Sequence, residues 1–135
     1  MKLIPEWYEH QNCLIAWPCN KGLYGEIINN ARDEVANVIN EIAKTEDVIV
    51  LSNKENINEI KSKTVHEKIY ILECKLDDSW MRDIGPIFYS EDKKLKSISF
   101  DFNGYGKYPD YSNDNKVSKF ISNYLNIPTK ISDLV

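Results

Sequence analysis

The chain has 135 residues, with 17 Lys+Arg against 21 Asp+Glu, a formal net charge of −4, and 42% hydrophobic residues. That balance excludes disorder, which requires low hydrophobicity with high net charge, and the length predicts one domain able to bury roughly two-thirds of its unfolded surface. Net acidity argues against a nucleic-acid partner, and the longest uncharged run, about ten residues, is far short of the about 20 that span a membrane.

The opening MKLIPEWYEHQN lacks the continuous apolar stretch and small-residue cleavage site of a signal peptide. Three cysteines at irregular spacing make no disulfide framework, so the expected compartment is the reducing cytoplasm. Cys13-Leu14-Ile15-Ala16-Trp17, closed by Pro18, reads as a buried strand. From Glu26 to Lys44, Ile27, Ala31, Val35, Val38, Ile39 and Ile42 recur at spacings of three and four, which predicts one apolar helix face. Val48-Ile49-Val50-Leu51 is too short and too β-branched for a helix and predicts a strand covered on both faces. Asn53 to Lys63 predicts a second helix, capped by Asn53 or Ser52, with Ile57 and Ile60 inward.

Ile69-Tyr70-Ile71-Leu72 is the next strand. Ile87-Phe88-Tyr89 and Lys96 to Phe102 read as two antiparallel strands joined through 91–94. Asn113 or Asp114 then caps a third helix with the face Val117, Phe120, Ile121, Tyr124 and Leu125, and Ile127-Pro128 ends it and opens another strand. The sequence stops at Ser132-Asp133-Leu134-Val135, inside what reads as an apolar element, so the expectation is an incomplete domain.

Chemistry concentrates in Asp77-Asp78-Ser79-Trp80-Met81-Arg82-Asp83-Ile84-Gly85-Pro86, a loop between two strands, where α/β folds tend to hold ligands. The plain alternative is a solvated turn with a local Arg82–Asp pair and Trp80 over the core edge. Against it, Trp is costly in a solvated turn, and Gly85-Pro86 bends the exit sharply. Carboxylates beside an aromatic face suit a planar cation, which an Asp can grip bidentately while an indole stacks on it. The chemistry points to an Arg-like ligand.

Asp78 to Phe88, DSWMRDIGPIF, closely resembles the signature loop of the agmatine deiminase family, which also contains bacterial peptidylarginine deiminases. Ile4-Pro5-Glu6-Trp7 with Glu9-His10, Leu14-Ile15-Ala16-Trp17-Pro18, and Phe100-Asp101-Phe102-Asn103-Gly104-Tyr105-Gly106-Lys107-Tyr108 resemble other family stretches in order and spacing. The resemblance covers essentially all of residues 1–135, as the N-terminal part of such a domain. It implies an α/β fold of the pentein type, a propeller of five ββαβ-like units, of which this chain would hold roughly two. It further implies hydrolysis of a guanidine C–N bond, converting agmatine to N-carbamoylputrescine and ammonia, with a Cys nucleophile, a His acid-base, and no metal or cofactor. Carried over by position, Asp83 grips the guanidine nitrogens of agmatine or another guanidino substrate, and Trp80 lines the channel. Arg82 and Asp78 fall in the same motif and read as loop-organising partners.

The family's Cys and His are expected beyond Val135, so no catalytic residue is expected within this chain. His10 and His66 read as surface residues, Cys13 and Cys74 as buried small hydrophobes, and Cys19 as a strand-end thiol with nothing nearby in sequence to lower its pKa. A thiolate without an activating His is a poor catalyst, so the chain alone is expected to be inactive. Exposed strand edges would favour self-association or pairing with a separately encoded remainder. Two readings from other classes stand beside this one. The first is a guanidine-binding module without chemistry. The second is a nucleotide-binding α/β domain, supported only by Gly104-Tyr105-Gly106, a weak pattern where no helix follows directly.

Overall fold

A computed structural model describes residues 1–5 and 7–132 and divides the chain into two units, 10–81 and 1–9 with 82–135. Glu6 of the N-terminal pattern and the last three residues of the expected interrupted element lie outside the described residues.

Residues 10–81 form a βαβαβ arrangement. Strands β2 (Asn12–Ala16), β3 (Asp47–Ser52) and β4 (Ile69–Glu73) pair in parallel in that order, with Cys13 opposite Val48 and Val48 opposite Ile69. A short helix α1 (Lys21–Tyr24) and a long helix α2 (Ile28–Ile42) connect β2 to β3, and α3 (Ile57–Lys63) precedes β4. Val48 and Val50 of β3 join Ala36, Ile39 and Ala43 from the α2 side and Ile60 of α3 in one core with Trp17, so both helices cover the same sheet face. Ile49 and Leu51, on the opposite face, are buried too, as the unbroken apolar run predicted.

The α2 face is rotated from the apolar spacing. Ile27 and Val38 are 64% and 52% exposed, while Ile28, Arg32, Ala36 and Ile39 point inward. Arg32 can be buried because every edge of its fork meets an acceptor. Nε donates to the Pro18 carbonyl at 3.0 Å, Nη1 to Glu59 Oε2 at 2.7 Å, and Nη2 to Asn56 Oδ1 at 3.0 Å. Asn53 caps nothing with its side chain; the amide instead pairs with the backbone of Leu76, as described below. Cys13, expected to be buried, is half-buried.

In the other unit, β1 (Lys2–Leu3), β5 (Ile87–Glu91), β6 (Lys94–Ser99) and β7 (Thr129–Ile131) form a mixed sheet in the order β1-β5-β6-β7. β5 and β6 are a hairpin whose two turn residues, Asp92 and Lys93, both have positive φ, the backbone that matches strand twist. Helix α5 (Val117–Tyr124) returns the chain to β7, which runs parallel to β6. β5, β6, α5 and β7 therefore make a ββαβ unit, whereas residues 10–81 depart from that pattern. β6 ends at Ser99, short of Phe102. α5 presents Val117, Ser118, Ile121 and Ser122 inward and leaves Tyr124 half exposed. Ser122 Oγ and Thr129 Oγ1 each lie 2.9 Å from Ser97 Oγ, so hydroxyls make part of the contact between α5 and the sheet. Among the described residues no helix is long and apolar enough to cross a membrane.

Candidate functional site

The carboxyl ends of the parallel strands set up the entry to the acidic loop. After β4, the backbone of Leu76 is held by Asn53 at the end of β3. Leu76 N–H donates to Asn53 Oδ1 at 2.8 Å, and Asn53 Nδ2 donates to the Leu76 carbonyl at 3.1 Å. That two-point clamp uses both faces of the amide, as a strand neighbour would. The Cys19 thiol, at the end of β2, also faces the Leu76 carbonyl, 3.6 Å away. All three strand ends thus meet where the motif begins.

Beyond the clamp, Asp78 organises its own turn. Its Oδ1 accepts from the Ser79 backbone N–H at 2.8 Å, and its Oδ2 accepts from Trp80 Nε1 at 2.8 Å. Trp80 is 49% exposed, so the indole is pinned by its polar edge while much of the ring stays in solvent. Ser79 Oγ lies 2.9 Å from the Tyr24 hydroxyl on α1. Met81 to Ile84 forms a single helical turn, α4, where the sequence predicted a loop; Ile84 is buried, while Arg82 and Asp83 are exposed. The structure therefore brings Asp78 and Trp80 together in residues 10–81, and Arg82 and Asp83 fall in the other unit.

The remaining nucleophile and base candidates are held in other arrangements. Burial, reinforced by the Glu46 charge, pushes the Cys13 thiol up from its ordinary value of 9.0, the wrong direction for a nucleophile. Cys74 is buried with its Sγ 3.8 Å from the Lys75 carbonyl. His10 Nδ1 lies 2.6 Å from Glu46 Oε2. Gly104-Tyr105-Gly106 forms a tight turn in which Tyr105 itself has φ 59°, and residues 107–113 separate it from the 3-10 turn Asp114–Lys116 that runs into α5, which gives no phosphate cradle at a helix start. Sequence reasoning missed Tyr24 and gave Asn53 a different role, as a helix cap; no periodicity or motif marks the contacts they make, because both act on residues more than 20 positions away.

Comparison with known proteins gives one family, Porphyromonas-type peptidyl-arginine deiminase, matching residues 2–135. Agmatine deiminase of Stutzerimonas stutzeri is 28% identical over 122 residues, covering 86% of this chain and 33% of that protein. The structure of Enterococcus faecalis agmatine deiminase superposes with a TM-score of 0.90 at 17% identity, covering 98% of this chain and 38% of that one. A cysteine-to-serine C. jejuni agmatine deiminase with substrate bound superposes with a TM-score of 0.79 at 26% identity, covering 98% and 39%. The chain spans between a third and two-fifths of the length of these relatives.

Proposed function

The chain belongs to the Porphyromonas-type peptidyl-arginine deiminase family, and from that membership we propose that it supplies the guanidine-gripping part of an agmatine deiminase-like hydrolase. The observation that carries the proposal is the DSWMRDIGP motif inside the matched span, with the Asp78 carboxylate already holding the Trp80 indole. Asp83 is the carboxylate that accepts two guanidinium N–H bonds, and Trp80 is the aromatic face beside the substrate. Arg82 and Asp78 serve the loop.

The chemical need is orientation. A guanidinium spreads its charge over three nitrogens and resists attack at carbon, so a nucleophile gains most from a cation already aligned and charge-paired. The thiolate that adds to that carbon, and the His that moves protons, come from outside this chain. Within it, burial and the Glu46 charge push the Cys13 thiol above its ordinary value, and the Cys19 and Cys74 thiols face carbonyls. The overall reaction consumes water and releases ammonia, and it proceeds in the cytoplasm without a cofactor. Agmatine is the proposed substrate because the relatives reported above carry that name.

Calorimetric titration of the 135-residue chain with agmatine tests this, with putrescine, which lacks the guanidine, as control. Asp83→Asn keeps the shape and removes the charge. Charge-assisted hydrogen bonds contribute about 1.5–3 kcal/mol each, so agmatine affinity should fall about tenfold or more. No ammonia should be released. Absence of agmatine binding, binding indifferent to Asp83→Asn, or ammonia above a protein-free blank would overturn the proposal. A blocked arginine amide in the same titration decides between agmatine and peptidyl-arginine.

A further inference from the structure

Trp80 has a defined orientation although half of it is in solvent, and the chain of bonds that sets it reaches well outside the motif. Ser79 is tied to Asp78 through its backbone, its N–H donating to Asp78 Oδ1 at 2.8 Å, with its hydroxyl 3.5 Å from the same oxygen. That hydroxyl in turn shares a 2.9 Å hydrogen bond with the Tyr24 hydroxyl. The bonds run in series from Tyr24 to Ser79 to Asp78, and the indole N–H donates to the same carboxylate through Oδ2. Tyr24 is itself presented by a fixed turn. Asn20 Oδ1 caps α1 by accepting from Leu23 N–H, and Gly25, at φ 54°, ends it in a conformation other residues adopt with strain.

We propose that Tyr24 is a positioning residue: through Ser79 and Asp78 it locks the plane of the Trp80 indole before any ligand arrives. An exposed indole free to rotate about χ1 and χ2 would lose that freedom on stacking against a cation, and that loss would come out of affinity. A relay already closed in the free protein removes the cost. The affinity part of this inference rests on the proposed guanidine site; the indole part does not.

The test is a double-mutant cycle on the full chain with Tyr24→Phe, Ser79→Ala and the pair, read in two ways. The first is the Trp80 indole N–H resonance and its hydrogen exchange by nitrogen-15 NMR, with Trp80→Phe used to identify the signal. The second is the dissociation constant for agmatine. Each single change should shift the Trp80 resonance, speed its exchange, and weaken agmatine about three- to tenfold, the worth of one neutral hydrogen bond. Because both changes break one relay, the pair should lose no more than either alone. An unmoved Trp80 resonance in Tyr24→Phe, or losses that add, would overturn the inference. If the parent chain fails to bind agmatine, the proposed function falls, and the positioning role stands or falls on the resonance and exchange alone.

Discussion

Residues 10–81 and the ββαβ unit solve the same problem, covering a small sheet with helix, by different chemistry. The parallel unit uses a continuous aliphatic seam, with Val48, Val50, Ile39 and Ile60 all essentially without exposure, and ties distant segments together with one buried cation. The ββαβ unit brings α5 onto its sheet partly through hydroxyls. Ser97 meets Ser122 and Thr129, and those two also donate to the Ser118 and Ile127 carbonyls. Small hydroxyl side chains let a helix approach a sheet closely, whereas a buried guanidinium needs three remote acceptors arranged at once. The first kind of core forgives a deletion; the second does not.

The largest expected effect follows from that difference. Arg32→Ala removes three charge-assisted bonds among segments up to 27 residues apart, so it should cost about 3–5 kcal/mol in urea denaturation. The other arginine, Arg82, is exposed, and Arg82→Ala should cost less than about 1 kcal/mol. Equal losses from the two would erase the contrast.

Ser97→Ala should lose only about 1 kcal/mol, because Ser122 and Thr129 keep their carbonyl partners. A loss as large as that of Arg32→Ala would show that the hydroxyl cluster is as unforgiving as the ion network.

The smallest effects are in pH. Hydrogen bonding to Lys96 holds the Glu91 carboxyl below its ordinary value of 4.5. Below that value the unfolded chain takes up a proton that the folded one still resists, so stability falls as the solution is acidified, and Lys96→Met should flatten that limb. Cys13 behaves in the opposite sense. Its folded value is raised above 9.0, so the unfolded thiol ionises first, and stability is lost as pH rises past that point. Cys13→Ala should remove its part of the alkaline limb and leave the acid limb unchanged. Denaturation midpoints followed across pH would show the acid loss coming from the Glu91–Lys96 pair, whose raised Lys96 ammonium adds an alkaline loss of its own, and a separate alkaline loss coming from Cys13.

How far each feature was readable follows the same division. β3 was legible because four consecutive β-branched or aliphatic residues have no favourable exposed state. The hairpin was legible from two apolar runs around a polar link. The α2 face was misread, since periodicity assigns Ile27 and Val38 inward and Arg32 outward, and only the convergence of Pro18, Asn56 and Glu59 reverses that order. The two-residue β1 has no period to detect, and its partners Tyr89 and Ser90 lie near the other end of a long loop of chain. In the candidate site, the motif itself and the pairing of its residue types with a planar cation were readable. The Asn53 clamp and the Tyr24 relay were not.

By itself the sequence determined the longer strands and helices, though not β1, α1 or the helical turn α4, and it marked the segment from Asp78 to Pro86, because local pattern and side-chain chemistry are properties of neighbouring residues. Only the tertiary structure decided which way α2 turns, that Arg32 is structural, and that Tyr24 reaches Ser79 across 55 positions. Such choices depend on donors and acceptors that meet only when remote backbone ends are brought within about 3 Å, and one-dimensional periodicity carries no information about that distance.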